Sequence, residues 1–137
     1  MVILYSYAER GNLLVAGTAN KTEFLTGFFV KYGDSAADIM PLLPFYKTQV
    51  RQLAEFLHIP ERVLSKAPSP DLIPGITDEF AMGISYEKLD LILLGLDMSM
   101  EMKDIAAGAG VKQETIEYVK ELVGRSEHMR GSPLAPD

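Results

Sequence analysis

Gly17-Thr18, followed five residues later by Glu23, is the first combination in the chain that could handle a charged ligand. A short apolar run, Leu13-Leu14-Val15-Ala16, leads directly into it. Gly17-Thr18-Ala19-Asn20 then opens what reads as a helix, with Asn20 placed as its cap. The end of a buried parallel strand, where a helix begins, is where α/β sheets bind ligands. A hydroxyl and a carboxylate so placed could hold a nucleotide and its Mg²⁺ between them. A cap plus a solvated Glu accounts for the same spacing, and on spacing alone it is the commoner arrangement.

A second group follows in Gly27-Phe28-Phe29-Val30-Lys31-Tyr32-Gly33-Asp34, with Asp38 and Lys47 beyond it. Aromatics beside a Lys, an Asp and two Gly suit a loop that approaches a ring-bearing, charged ligand. A structured surface loop with core aromatics suits them equally. Lys47 heads a helix, where the macrodipole disfavours a cation. Its position therefore calls for a negative partner, such as a phosphate.

These groups need elements to position them. Residues 1–10 read as a helix broken at Gly11-Asn12, where a left-handed cap forms easily. The run at 13–16 reads as a strand buried on both faces of a parallel sheet. Val50, Leu53, Ala54 and Leu57 fall at i, i+3, i+4, i+7 and mark an amphipathic helix ending near Pro60. A short helical turn is expected at 61–66. The proline-rich stretch 67–77 can be neither helix nor central strand. Ser85 is placed to cap a helix whose core stripe is Leu89, Ile92, Leu93 and Leu96. Two more helices are expected at about 100–108 and 113–125, the last with Ile116, Val119 and Val123 on one face. Met98, Met100 and Met102 match neither a helix stripe nor a ligand set and are expected to fill gaps in the core or at its boundary. Residues 131–137 are expected to be a flexible tail. This map holds one strand, and a single strand has no partner for its backbone hydrogen bonds. The rest of the sheet is expected on strands not yet read or on other sequence.

At 137 residues the chain is one domain's worth, with an ordinary apolar and charged balance. It contains no cysteine, which excludes disulfides, thiolate nucleophiles and thiolate-held zinc. His58 and His128 are the only histidines, so a metal here would be a hard ion on carboxylates and phosphates, as Mg²⁺ is. The net charge of −6 draws the chain toward neither nucleic acid nor anionic lipid. No apolar run approaches the roughly 20 residues of a membrane span. No basic residue precedes the apolar start, so no signal peptide is expected, and a cytoplasmic location is.

Taken in order, six segments resemble the second half of the NH3-dependent NAD⁺ synthetase family. They are Gly17-Thr18-Ala19-Asn20-Lys21-Thr22-Glu23, Gly27 through Asp34, Lys47-Thr48-Gln49-Val50-Arg51, Lys66-Ala67-Pro68-Ser69, Pro74-Gly75-Ile76-Thr77-Asp78-Glu79, and Ser126-Glu127-His128-Met129-Arg130. The resemblance implies a truncated α/β, adenine-nucleotide alpha-hydrolase-like (Rossmann-like) fold. Residues 1–137 would be the C-terminal half of one synthetase domain, mostly helical with one or two strands. It implies a ligase that converts deamido-NAD⁺ and ammonia to NAD⁺ with ATP and Mg²⁺, built as a homodimer. Carried over by position, Thr18, Lys47 and Ser69 would touch ATP and Glu23 would bind Mg²⁺. Lys31, Asp38, His128 and Met129 would hold deamido-NAD⁺. Ser69 stands where Thr is common, and keeps the hydroxyl. Met129 stands where the family often has Lys, and loses a charge, although Arg130 is adjacent. The family's Ser-Gly-Gly-x-Asp-Ser loop, which brings amides to the phosphates and a carboxylate to Mg²⁺, has no counterpart in residues 1–16.

Two other function classes remain in view. A remnant could keep a dinucleotide pocket or a dimer face without the chemistry. Residues 104–119 also scan as a helix-turn-helix, but its second helix would offer Glu114, Glu117 and Glu121 to DNA phosphate, which repels them.

Overall fold

The computed structural model describes residues 1–69 and 75–131. The expected stretch at 70–74 and the tail beyond Gly131 lie outside the described residues. The chain parts into two compact units, Met1–Tyr46 with Lys120–Asp137, and Lys47–Val119.

In the first unit, α1 (Val2–Gly11) stops where the sequence predicts, at Asn12, whose φ of 50° and ψ of 51° are left-handed. The backbone then extends through Val15 and Ala16. Ala16 forms an isolated parallel bridge with Ile39. Gly17 N donates to Ile39 O at 2.8 Å, and Asp38 N donates to Val15 O at 2.9 Å. Asp38 and Ile39 are thus the neighbour that the sequence reading did not find. They escape it because two or three residues of pairing show no periodicity. The contact also explains Gly17, since a Cβ there would lie 2.8 Å from the Cβ of Ala37. The expectation of burial on both faces does not hold for this chain: Val15 is buried, but Leu13 and Leu14 are 67% and 69% exposed.

Helix α2 (Lys21–Thr26) begins with a full capping box. The Asn20 side chain accepts from Glu23 N, and Glu23 Oε2 accepts from Asn20 N. It ends on Gly27 at φ 73°, packed so closely that a Cβ would sit 2.3 Å from Ser126 Cβ. The free carbonyl of Leu25 accepts from Ser126 Oγ at 3.0 Å and from Arg130 Nη1 at 2.7 Å. Arg130 Nη2 reaches Val123 O at 2.9 Å, near the C-terminus of α8 (Gln113–Arg125). One guanidinium therefore closes the ends of two helices, where a cation is favoured. Arg130 itself ends α9 (Glu127–Arg130).

The second unit holds α3 (Lys47–Phe56), α4 (Glu61–Leu64), α5 (Asp78–Met82), α6 (Tyr86–Asp97), α7 (Met102–Ala109) and the start of α8. Its core is most of the stripe read from the sequence, with Leu89, Ile92 and Leu93 of α6 at 2% exposure or less and Ile116 and Val119 fully buried, while Leu96 is only half-buried. α6 packs on α3 and α7. Two expectations change. Ser85 stands at the N-cap of α6, yet its side chain makes no capping bond; Glu79 Oε1 accepts from Tyr86 N at 2.8 Å instead. Met98 and Met100 are exposed, beside Leu91 and Leu94 at a shallow apolar depression, rather than filling the core. Among the described residues no helix is long and apolar enough to cross a membrane.

Two glycines separate packing from helix propensity. Gly27→Ala adds a Cβ to a left-handed residue and into Ser126, and should cost about 2–4 kcal/mol in urea denaturation. Gly124→Ala meets open space within α8 and should stabilise by about 0.5–1 kcal/mol.

Candidate nucleotide and substrate site

Of the residues expected to meet ATP and its metal, Thr18 and Glu23 belong to the first unit, and Lys47 and Ser69 to the second. Thr18 is exposed at the end of the extended segment. Glu23 is half-buried, and one of its oxygens completes the capping box at 3.2 Å from Asn20 N. The ordinary reading of Glu23 as part of a cap is thus realised in the structure. It leaves the metal role open, since a carboxylate can accept an amide and offer a further lone pair. Among the described residues no group of three or more acidic or histidine side chains could hold a metal ion. A Mg²⁺ ion fits Glu23 only in the usual manner of that ion, with one or two carboxylates and the remaining oxygens from phosphates and water.

The first unit brings two of the expected substrate residues together. Lys31 Nζ donates to His128 O at 3.2 Å and to Gly131 O at 2.9 Å, joining the loop after α2 to the C-terminal segment. The His128 ring is exposed, with Nδ1 3.1 Å from Arg125 O, and Met129 is half-buried beside it. Asp38 is turned elsewhere. Its Oδ2 accepts from Val15 N at 2.7 Å and its Oδ1 from Tyr5 Oη at 3.5 Å. Desolvation first, and then the charge and hydrogen bond of Asp38, hold the Tyr5 phenol above its ordinary value. Phe29, which could have met a ligand ring, stacks on Phe24 with centroids 5.6 Å apart. Arg130 does not stand in for the charge missing at Met129, because its guanidinium donates to Leu25 O, Ser126 Oγ and Val123 O.

In the second unit, a protein carboxylate meets the start of α3, the helix that Lys47 heads. Asp90, only 5% exposed, accepts from Thr48 N at 2.7 Å through Oδ2 and so places a carboxylate on the first turn of α3. Lys47 Nζ lies 5.2 Å from the centroid of the Tyr86 ring. Ser69 Oγ donates to Ile76 O at 2.9 Å, and Asp78 N donates to Pro68 O at 3.0 Å. Asp78 in turn accepts from Tyr86 Oη at 2.8 Å. Tyr86, Asp78 and Asp90 were not singled out from the sequence. A carboxylate four residues from a Tyr, on the same face as the Leu89 and Leu93 stripe, is the signal that could have found two of them.

The NAD synthase family model matches residues 1–133. The chain belongs to the NAD synthase family. It is 46% identical over 138 residues to an NH3-dependent NAD⁺ synthetase of Thermococcus kodakarensis, covering 100% of this chain and 54% of that protein. A relative of the same name in Thermotoga maritima is 46% identical, with 95% of this chain and 44% of the relative covered. A solved NMN synthetase from Francisella tularensis superposes with a TM-score of 0.83 at 38% identity, over 99% of this chain and 52% of that one. An NH3-dependent NAD synthetase from Campylobacter jejuni, in complex with the nitrate ion, gives 0.73 at 26% identity over 100% and 51%. The chain spans about half the length of the relatives it matches. Among the described residues the architecture is mostly helical and nearly strandless, and it superposes on about half of each of these two solved chains.

Glu23 allows the cap and the metal role to be separated. Glu23→Gln keeps an acceptor for Asn20 N and should stay within about 0.5 kcal/mol of the parent in thermal denaturation, while Glu23→Ala should lose about 1 kcal/mol. A metal role predicts that Glu23→Gln nonetheless weakens Mg²⁺-dependent ATP binding.

Proposed function

We propose that residues 1–137 are the C-terminal half of a single NAD⁺ synthetase domain, and that they supply nucleotide and substrate contacts to the ATP-dependent amidation of deamido-NAD⁺. The reading is supported by the family match over 1–133, together with the order in which the candidate residues recur along it. In this reaction an oxygen of the nicotinate carboxylate attacks the α-phosphorus of ATP, and pyrophosphate leaves. Ammonia then attacks the acyl carbon of the mixed anhydride, AMP departs with the bonding pair, and loss of a proton from nitrogen completes the amide. AMP is a good leaving group, so a weak nucleophile suffices.

In this reading Thr18, Lys47 and Ser69 contact ATP, and Glu23 gives one oxygen to Mg²⁺, which neutralises phosphate charge during the first step. Lys31, Asp38, His128 and Met129 line the deamido-NAD⁺ side. Lys31 is suited to the task because its ammonium already draws the His128 segment to the loop after α2. The enzyme works in the cytoplasm as a homodimer. Val2, Ile3, Leu4 and Tyr7 of α1 are each more than half exposed, an apolar face of the kind a second copy covers. Residues 1–137 contain no Ser-Gly-Gly-x-Asp-Ser run, so turnover requires a phosphate loop from elsewhere. The rival reading is a dinucleotide-binding or dimerisation module without chemistry. DNA binding is disfavoured by the exposed Glu114 and Glu117 on α8.

Calorimetric titration of the chain with deamido-NAD⁺ tests the reading directly. Binding is expected, and Lys31→Ala should weaken it about tenfold or more, as loss of a charged hydrogen-bond donor does. A folded chain that binds neither deamido-NAD⁺ nor the mononucleotide of nicotinate would overturn the half-site.

A further inference from the structure

Lys47 and Ser69, the two residues of the second unit assigned to ATP, lie 22 positions apart in sequence, and a single buried side chain connects them. Tyr86 is 3% exposed at the start of α6. Its ring lies 5.2 Å from the Lys47 ammonium, within cation–π range. Its hydroxyl donates to Asp78 Oδ2 at 2.8 Å. The amide of that same Asp78 donates to Pro68 O, the residue before Ser69, and the Ser69 hydroxyl donates to Ile76 O, two residues before Asp78. Asp90, one turn along α6 from Tyr86, holds the backbone of Thr48 beside Lys47. The first turn of α6 therefore fixes one candidate ligand through an aromatic face and a capped helix, and the other through a carboxylate.

Stability alone is a poor account of Asp78. The residue is 5% exposed, and its Oδ1 is buried without a hydrogen-bond partner. An acceptor buried without a partner destabilises the fold.

We infer that Tyr86 is the positioning residue for the ATP contacts of the second unit, setting Lys47 through its ring and Ser69 through the hydrogen bond to Asp78. The inference rests on the assignment of Lys47 and Ser69 to ATP. It extends that assignment to a residue that touches no nucleotide and acts through the two that do.

The test is a double-mutant cycle on ATP affinity in the presence of Mg²⁺, with Tyr86→Phe, Ser69→Ala and the pair. Tyr86→Phe keeps the ring and removes only the hydroxyl. Each single variant should weaken ATP about fivefold, the effect of one hydrogen bond, and the double variant should be no weaker than either single one. Multiplying effects would show that Tyr86 does not act through Ser69 and would overturn the inference. Amide exchange in the nucleotide-free chain gives a second readout. Tyr86→Phe should speed exchange at the Asp78 amide about tenfold while leaving Leu89 and Ile92 unchanged; an unchanged Asp78 amide would equally overturn it. Failure of the unaltered chain to bind ATP is a different result. It rejects the assignment of Lys47 and Ser69, and with it any positioning role, whereas an altered cycle in a chain that binds ATP rejects Tyr86 alone.

Discussion

The first amides of every helix lack partners within the helix, and in this chain the acceptors that meet that need help to place three of the candidate residues, Glu23, Lys47 and Ser69. Asn20 and Glu23 close α2 on each other, and Glu23 is the metal candidate. Asp90 closes α3, whose first residue is Lys47. Thr77 accepts from Phe80 N to open α5, next to the Asp78 that holds Pro68 and, through it, Ser69. Glu79 opens α6 at Tyr86. Helices as short as α2 and α5 could not persist on propensity alone. Their ends are fixed by side chains, and the candidate contacts are fixed with them.

Reading the sequence succeeds where the cause is local. The stop at Gly11-Asn12, the Asn20 cap and the Leu89-Ile92-Leu93 stripe each depend on residues within a turn or two, and all are found in the structure. It fails where the partner is distant along the chain. Asp90 lies 42 residues from the amide it caps, Arg130 lies 105 from Leu25, and Asp38 pairs with Val15 across 23. Lys47 shows the difference well. A cation that heads a helix calls for a negative charge nearby, and nothing local to Lys47 points to Asp90 on α6, which meets the amide of the next residue. Ser85 shows the converse, a good capping residue displaced by the longer carboxylate of Glu79.

The exposed Leu13 and Leu14 have a related explanation. A continuous apolar run belongs in the middle of a parallel sheet, and among the described residues only Asp38 and Ile39 pair with it. The relatives that the chain matches are about twice as long. In the proposed reading the missing strands and the phosphate loop come together, so the same half completes both the sheet and the chemistry. The resemblance seen in six short segments therefore reports family more firmly than it reports activity.

Reconstitution tests that dependence most directly. The 137-residue chain would be mixed with a chain bearing the phosphate-loop half of an NAD synthetase, and NAD⁺ formation followed from deamido-NAD⁺, ATP and ammonia. The account predicts that neither half turns over by itself and that the mixture does, releasing one AMP and one pyrophosphate per NAD⁺. Steady NAD⁺ formation by residues 1–137 alone would contradict it.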